Sequence, residues 1–104
     1  MNIVTLSVED REELLRSRVA AGIALLNERQ WSKPWYQVID LDQLDIHSST
    51  NCVLGQLFGS YADAMNNELG LAIGTLHGFS GYFENKLTEI WTEEILKLRE
   101  NHVQ

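Results

Sequence analysis

Residues 51–61 read NCVLGQLFGSY: an Asn, the chain's one Cys, then apolar residues interrupted by two glycines four apart. Ser48, Ser49, Thr50 and Asn51 are residue types that cap helix N-termini by accepting a bond from a first-turn N–H. Leu54, Leu57, Phe58, Tyr61 and Met65 then recur at helical spacing. A helix is therefore expected over about residues 50–69. Each glycine costs it about 1 kcal/mol of propensity relative to Ala, which packing must offset. Cys52, Gly55 and Gly59 fall at i, i+3 and i+7, a small-residue stripe beside the large apolar face. The expectation is a helix buried on two sides, with another helix, the last being the candidate, lying close against Gly55 and Gly59. On that reading Gly55→Leu or Gly59→Leu overpacks the core by about 1–3 kcal/mol.

Working outward, Ser7-Val8-Glu9-Asp10 has a capping Ser followed by acids in the first turn, where the helix dipole favours them. Leu15, Val19, Ile23 and Leu26 follow at helical spacing, which predicts a helix over about 8–29. Pro34 ends helical structure and pushes Lys33 towards an extended conformation. VIDLDQLDI, residues 38–46, alternates partly between apolar and acidic residues. An isolated strand has nothing to pair with, so residues 30–48 read as an irregular acidic connection with a short helical turn. Gly70 and Gly78, each followed by an apolar residue, look like helix stops around a short helix at about 71–77. Phe83, Leu87, Ile90, Trp91, Ile95 and Leu98 trace the apolar face of a last helix at about 82–100. The fold expected is all-α: a small single-domain bundle over 1–104, with three main helices and one short one.

The totals agree with one domain. The chain has 104 residues, 44% of them hydrophobic, which suits a globular fold rather than a disordered chain. A domain of this size has little stability margin, and a homodimer interface would add to it. A single Cys excludes an intramolecular disulfide and the usual multi-cysteine zinc site. No basic region precedes a long apolar run at MNIVTLSVED, and no stretch approaches the ~18 apolar residues of a membrane span. A cytoplasmic location, without membrane attachment, is the expectation. The net charge is −7, and no Lys or Arg lies between Lys33 and Lys86, where six acids sit. Such a surface repels phosphate backbones, so direct nucleic-acid binding is not expected.

Three groups of residues are candidates for chemistry. Cys52 in a helix's first turn, with His47 nearby, has the composition of a Cys–His nucleophile pair. Its acidic neighbourhood and the common burial of Cys favour a packed core residue instead. Asp40, Asp42, Asp45 and His47 hold metal-ligating atoms, but the spacing is not that of a calcium loop. The same string arises where acids face water and leucines face the core. Trp31, Trp35 and Tyr36 around Pro34 are residue types that anchor partners, or that cover the end of a helical core. His77, before Gly78, reads as structural. No phosphate-binding loop, dinucleotide fingerprint, zinc-protease motif or nucleophile elbow is present.

Leu44-Asp45-Ile46 with Ser48 and Ser49, then Cys52-Val53-Leu54-Gly55-Gln56-Leu57-Phe58-Gly59, Gly78-Phe79 and Leu87 to Trp91 occur in an order that resembles small uncharacterised proteins of tailed bacteriophages and prophages. The resemblance covers about half the chain. It implies a phage-encoded accessory protein of the bacterial cytoplasm and brings no established activity. Some of those proteins carry a second Cys shortly before the matching one; His47 to Asn51 supplies none here. The expected function is a non-enzymatic protein-interaction module, of host-takeover or anti-defence type. It would bind a basic host or phage protein through Trp31, Trp35, Tyr36, Asp40, Asp42 and Asp45, without catalytic residues, metal or cofactor. Two other readings stand beside it. One is a small ligand-binding, metal-binding or catalytic protein using Cys52, His47 and the acids at 40, 42 and 45. The other is a minor virion or assembly protein.

Overall fold

Leu15, Val19, Gly22 and Leu26 line one face of the first helix, and all four are buried. A computed structural model describes residues 8–70, 75–80 and 84–102, in which this helix, α1, spans Val8–Asn27. After it come α2 (Trp35–Val38), α3 (Val53–Phe58), α4 (Tyr61–Asp63) with a π-helical turn (Ala64–Glu68), a 3₁₀ turn (Thr75–His77) and α5 (Glu84–His102). The described residues contain helices and no strand, so the protein is a small all-α domain. The Ser7 cap, most of the short helix expected at 71–77, and a helix start at Tyr82–Phe83 lie outside the described residues.

Two long helices, α1 and α5, meet across a layer of aromatic rings. Leu87, Ile90, Trp91 and Ile95 are the buried face of α5. Trp91 stacks on Phe79 at 5.6 Å and meets Trp35 edge-on at 6.1 Å. Its indole N–H donates to the Gly78 carbonyl at 2.8 Å, so the polar end of a buried ring is satisfied. Gly22 makes the close approach. A Cβ there would stand 2.2 Å from the His77 carbonyl oxygen and 3.1 Å from the Trp91 ring. Outside the core, Glu12 of α1 pairs with Lys86 at 2.9 Å, and Arg16 pairs with Glu93 at 2.8 Å.

The helix expected over 50–69 is two helices, and the reason lies in Gly59, one of the two glycines expected to serve packing. Gly59 has φ of 102° and donates its N–H to the Gly55 carbonyl at 2.8 Å, which stops α3. Nothing lies within 4 Å of where its Cβ would be, so its role is conformational. Ser60 then accepts from the Asp63 N–H at 3.1 Å and caps α4. Gly55 does sit against a close neighbour, but that neighbour is the loop leading into its own helix. A Cβ would meet the Ser49 carbonyl oxygen at 2.4 Å and the Thr50 carbonyl at 2.5 Å. The glycine stripe is therefore not a helix–helix contact; among the described glycines it is Gly22 of α1 that meets Trp91 of α5.

Residues 39–52 form an irregular arm whose apolar positions turn inward. Ile39, Leu44 and Ile46 are buried while Asp40, Asp42 and Asp45 are exposed. The side chain of Gln56 in α3 takes the place of a strand partner. Its Oε1 accepts from the Asp40 N–H, and its Nε2 donates to the carbonyls of Asp40 and Asn51 at 3.1 and 3.0 Å. Arg99 of α5 holds the start of the arm by donating to the carbonyls of Tyr36 and Ile39. Such charge-assisted bonds close the C-terminal end of the one-turn helix α2.

Candidate functional site

The candidate surface residues occupy two different environments. Trp35 is 1% exposed, packed on Trp91 and Tyr36, with its N–H donated to Asn27 Oδ1 at 2.9 Å. It belongs to the core and is not a binding anchor, because a short helix after Pro34 turns it inward. Trp31 is half-buried, donates to the Leu26 carbonyl at 2.8 Å and lies tilted against Phe58. Arg29 stacks over the same Phe58 ring at 5.4 Å while pairing with Glu68 at 3.2 Å. Tyr36 is half-buried beside Trp35, and Val38 is 48% exposed.

Asp40, Asp42 and Asp45 are exposed along the arm. Two of these carboxylates hold local turns. Asp40 Oδ1 accepts from the Asp42 N–H at 3.0 Å, and Asp45 Oδ1 accepts from the His47 N–H at 2.9 Å. Among the described residues no group of three or more His, Cys, Asp or Glu side chains is placed to hold a metal ion. The metal arrangement considered for Asp40, Asp42, Asp45 and His47 does not assemble, since consecutive turns spread the four along the arm.

Cys52 is 1% exposed and occupies the N-cap position of α3. Its Sγ accepts from the Gly55 N–H at 3.3 Å and donates to the Ser49 carbonyl at 3.9 Å. Burial pushes its thiol pKa up, against a smaller lowering by the Gly55 N–H. A nucleophilic cysteine needs the opposite shift and an open approach. Cys52 is therefore a cap with a sulfur in the place a serine oxygen usually takes.

One feature of this end of the molecule was not legible as a group in the sequence. A cleft of about 240 Å³ is lined by Ile46, His47, Ser48, Ser49, Tyr61 and Ser80. Its walls come from three stretches of chain that are tied together. The Tyr61 N–H donates to the Ser49 carbonyl at 2.8 Å, the Tyr61 and Ser80 hydroxyls share a bond of 3.0 Å, and the Ile46 N–H donates to Thr88 Oγ1 at 3.0 Å. No local spacing could announce a site drawn from residues 46–49, 61 and 80.

No helix among the described residues is long and apolar enough to cross a membrane. Compared with family models, curated proteins and solved structures, the chain matches none.

Proposed function

We propose that the protein is a non-enzymatic interaction module that meets a basic surface of another protein through the edge formed by residues 36–45. One observation carries this reading: the charges are segregated. The ion pairs recorded between described side chains join Arg16, Arg29, Lys86 and Lys97 to Glu12, Glu68, Glu93 and Glu94. None involves Asp40, Asp42 or Asp45. Arg99, the cation closest to the arm in bonding terms, donates to backbone carbonyls. The arm thus presents three carboxylates that no side-chain cation among the described residues neutralises, on a backbone held in place by Gln56. Val38 and the outer edge of Tyr36 add apolar surface next to them. A fixed acidic edge with an apolar margin favours rapid, salt-sensitive encounter with a basic face, and the apolar margin supplies holding contacts. The resemblance to phage and prophage proteins supports an accessory role in a bacterial cytoplasm, of host-takeover or anti-defence type, with a host or phage protein as partner.

The test is a comparison of the protein with an Asp40→Asn/Asp42→Asn/Asp45→Asn variant as bait in bacterial lysate, washed at low and at high salt. Asn retains the acceptor oxygens that hold the turns, so the fold is kept while three charges go. The reading expects a basic protein retained by the native bait at low salt and released both by high salt and by the triple substitution. Equal capture by both baits, or none by either, overturns it.

A further inference from the structure

The cleft beside Tyr61 has a chemistry that the acidic edge does not use. Its described polar lining is the hydroxyls of Ser48, Ser49, Ser80 and Tyr61 and the imidazole of His47, with Ile46 and the Tyr61 ring as apolar wall. Among the described lining residues there is neither a carboxylate nor an ammonium or guanidinium group.

The hydrogen-bond state of each hydroxyl limits what it can offer. Ser48 Oγ already accepts from the N–H groups of Asn51 at 3.0 Å and Thr50 at 3.3 Å. Its lone pairs are engaged, so its O–H is the donor in the 3.4 Å bond to Thr50 Oγ1, a long bond that a better-placed ligand acceptor displaces. Tyr61 and Ser80 share one bond, which consumes one of their two protons and leaves the other O–H, together with acceptor positions on both oxygens. Ser49 is exposed and adds a group able both to donate and to accept. The cleft thus offers donors and acceptors in mixture, with no Lys, Arg, Asp or Glu among its described lining residues, against a partly apolar wall.

We infer that this cleft is a binding site for a small neutral polyhydroxy ligand, a single sugar ring in size and chemistry. Each hydroxyl of such a ligand gives one bond and accepts others, which matches the mixed lining. The C–H face of a sugar ring matches the Tyr61 ring and Ile46. An anion finds no Lys or Arg among the lining residues and approaches a chain of net charge −7. A wholly apolar ligand would strip water from hydroxyls without replacing their bonds. Size argues the same way. Sites for drug-sized ligands run from roughly 300 to 1,000 Å³, and this one, at about 240 Å³, lies below that range. The bonds that tie Ser49 to Tyr61, Tyr61 to Ser80 and Ile46 to Thr88 hold the walls before a ligand arrives, so binding does not need to order them.

The experiment is an amide chemical-shift titration of the whole protein. Probes are the methyl glycosides of glucose, galactose and mannose, and N-acetylglucosamine, with sodium phosphate and sodium acetate as anionic comparisons. The inference expects saturable shifts at residues 46–49, 61 and 80 with at least one sugar, at millimolar affinity. Ser49→Trp places a bulky ring at an exposed position, where folding is not at stake, and should abolish those shifts. Tyr61→Phe combined with Ser80→Ala should weaken binding about tenfold. The triple Asp→Asn variant of the acidic arm should bind the same sugar unchanged, which separates this site from the docking edge. No saturable shift with any of the four sugars overturns the inference. So do shifts that survive Ser49→Trp, or shifts at these residues caused by phosphate or acetate alone.

Discussion

At Gly22 the room for a side chain is set by backbone. The oxygen that a Cβ would meet at 2.2 Å is the His77 carbonyl, which cannot rotate away as a flexible side-chain tip can. Gly22→Ala should therefore cost about 1–3 kcal/mol, and Gly22→Leu more, read as the loss in urea-unfolding free energy. Gly59 obeys a different rule. Its cost comes from φ of 102°, with no neighbour to strike, so Gly59→Ala should lose about 1–2 kcal/mol and Gly59→Leu scarcely more. A steep dependence on side-chain size at 59 and a flat one at 22 would reverse the two assignments. Cys52 is tested by substitution and by pH. Cys52→Ser keeps a capping acceptor and a donor for the Ser49 carbonyl, whereas Cys52→Ala loses the cap and about 1 kcal/mol. The buried thiol has a folded pKa above its unfolded one, so its contribution is complete below the ordinary thiol range. It is lost as pH rises towards the folded value. A thiol reagent should accordingly label Cys52 at the rate of unfolding, and labelling of the native protein at the rate of a free peptide thiol would contradict its burial.

Among the elements, α1 and α5 were legible because each carries an uninterrupted apolar repeat over many turns, from Leu15 to Leu26 and from Leu87 to Ile95. Their existence follows from periodicity alone, and so does the inward turn of Ile39, Leu44 and Ile46 between exposed aspartates. The division of the 50–69 region was written in the sequence as well. Gly59 followed by Ser60, with Asp63 three residues on, is a helix stop and then a cap, but the apolar spacing that continues through Tyr61 to Met65 masked it. Gln56 and the cleft were not legible, since each depends on residues far apart in the chain. A glutamine in the middle of an apolar string is a polar group that must find partners, yet nothing local says that they are the backbone of Asp40 and Asn51. Gln56→Leu should release the arm. The Asp40 amide should lose its protection from hydrogen exchange, and global stability should fall by about 1–2 kcal/mol. If that amide stays protected in the variant, something other than Gln56 holds the arm.

For the whole molecule, the brace between α1 and α5 makes stability depend on acid. Lys86 first, and Arg16 with it, hold the Glu12 carboxyl below the usual carboxylate range. Its contribution is present above the ordinary glutamate pKa and fades as pH falls through the lowered value, while Glu12 raises Lys86 and extends the pair upward in pH. The melting temperatures of the native protein and Glu12→Gln should differ at neutral pH and converge in acid. A constant difference across that range would show that Glu12 acts through packing. Salt should narrow the same difference, because the groups are at the surface. The ring layer between the long helices has a consequence of another kind. Trp35 and Trp91, buried and edge to face at 81°, with Phe79 stacked on the second and His77 on Phe79, hold two indoles in a fixed chiral arrangement. Trp31 sits apart from them, half in solvent. The protein therefore contains its own optical instrument: a near-ultraviolet circular dichroism band from the inner pair that vanishes when packing loosens, and one emitting indole that a soluble quencher can reach while two stay dark to it.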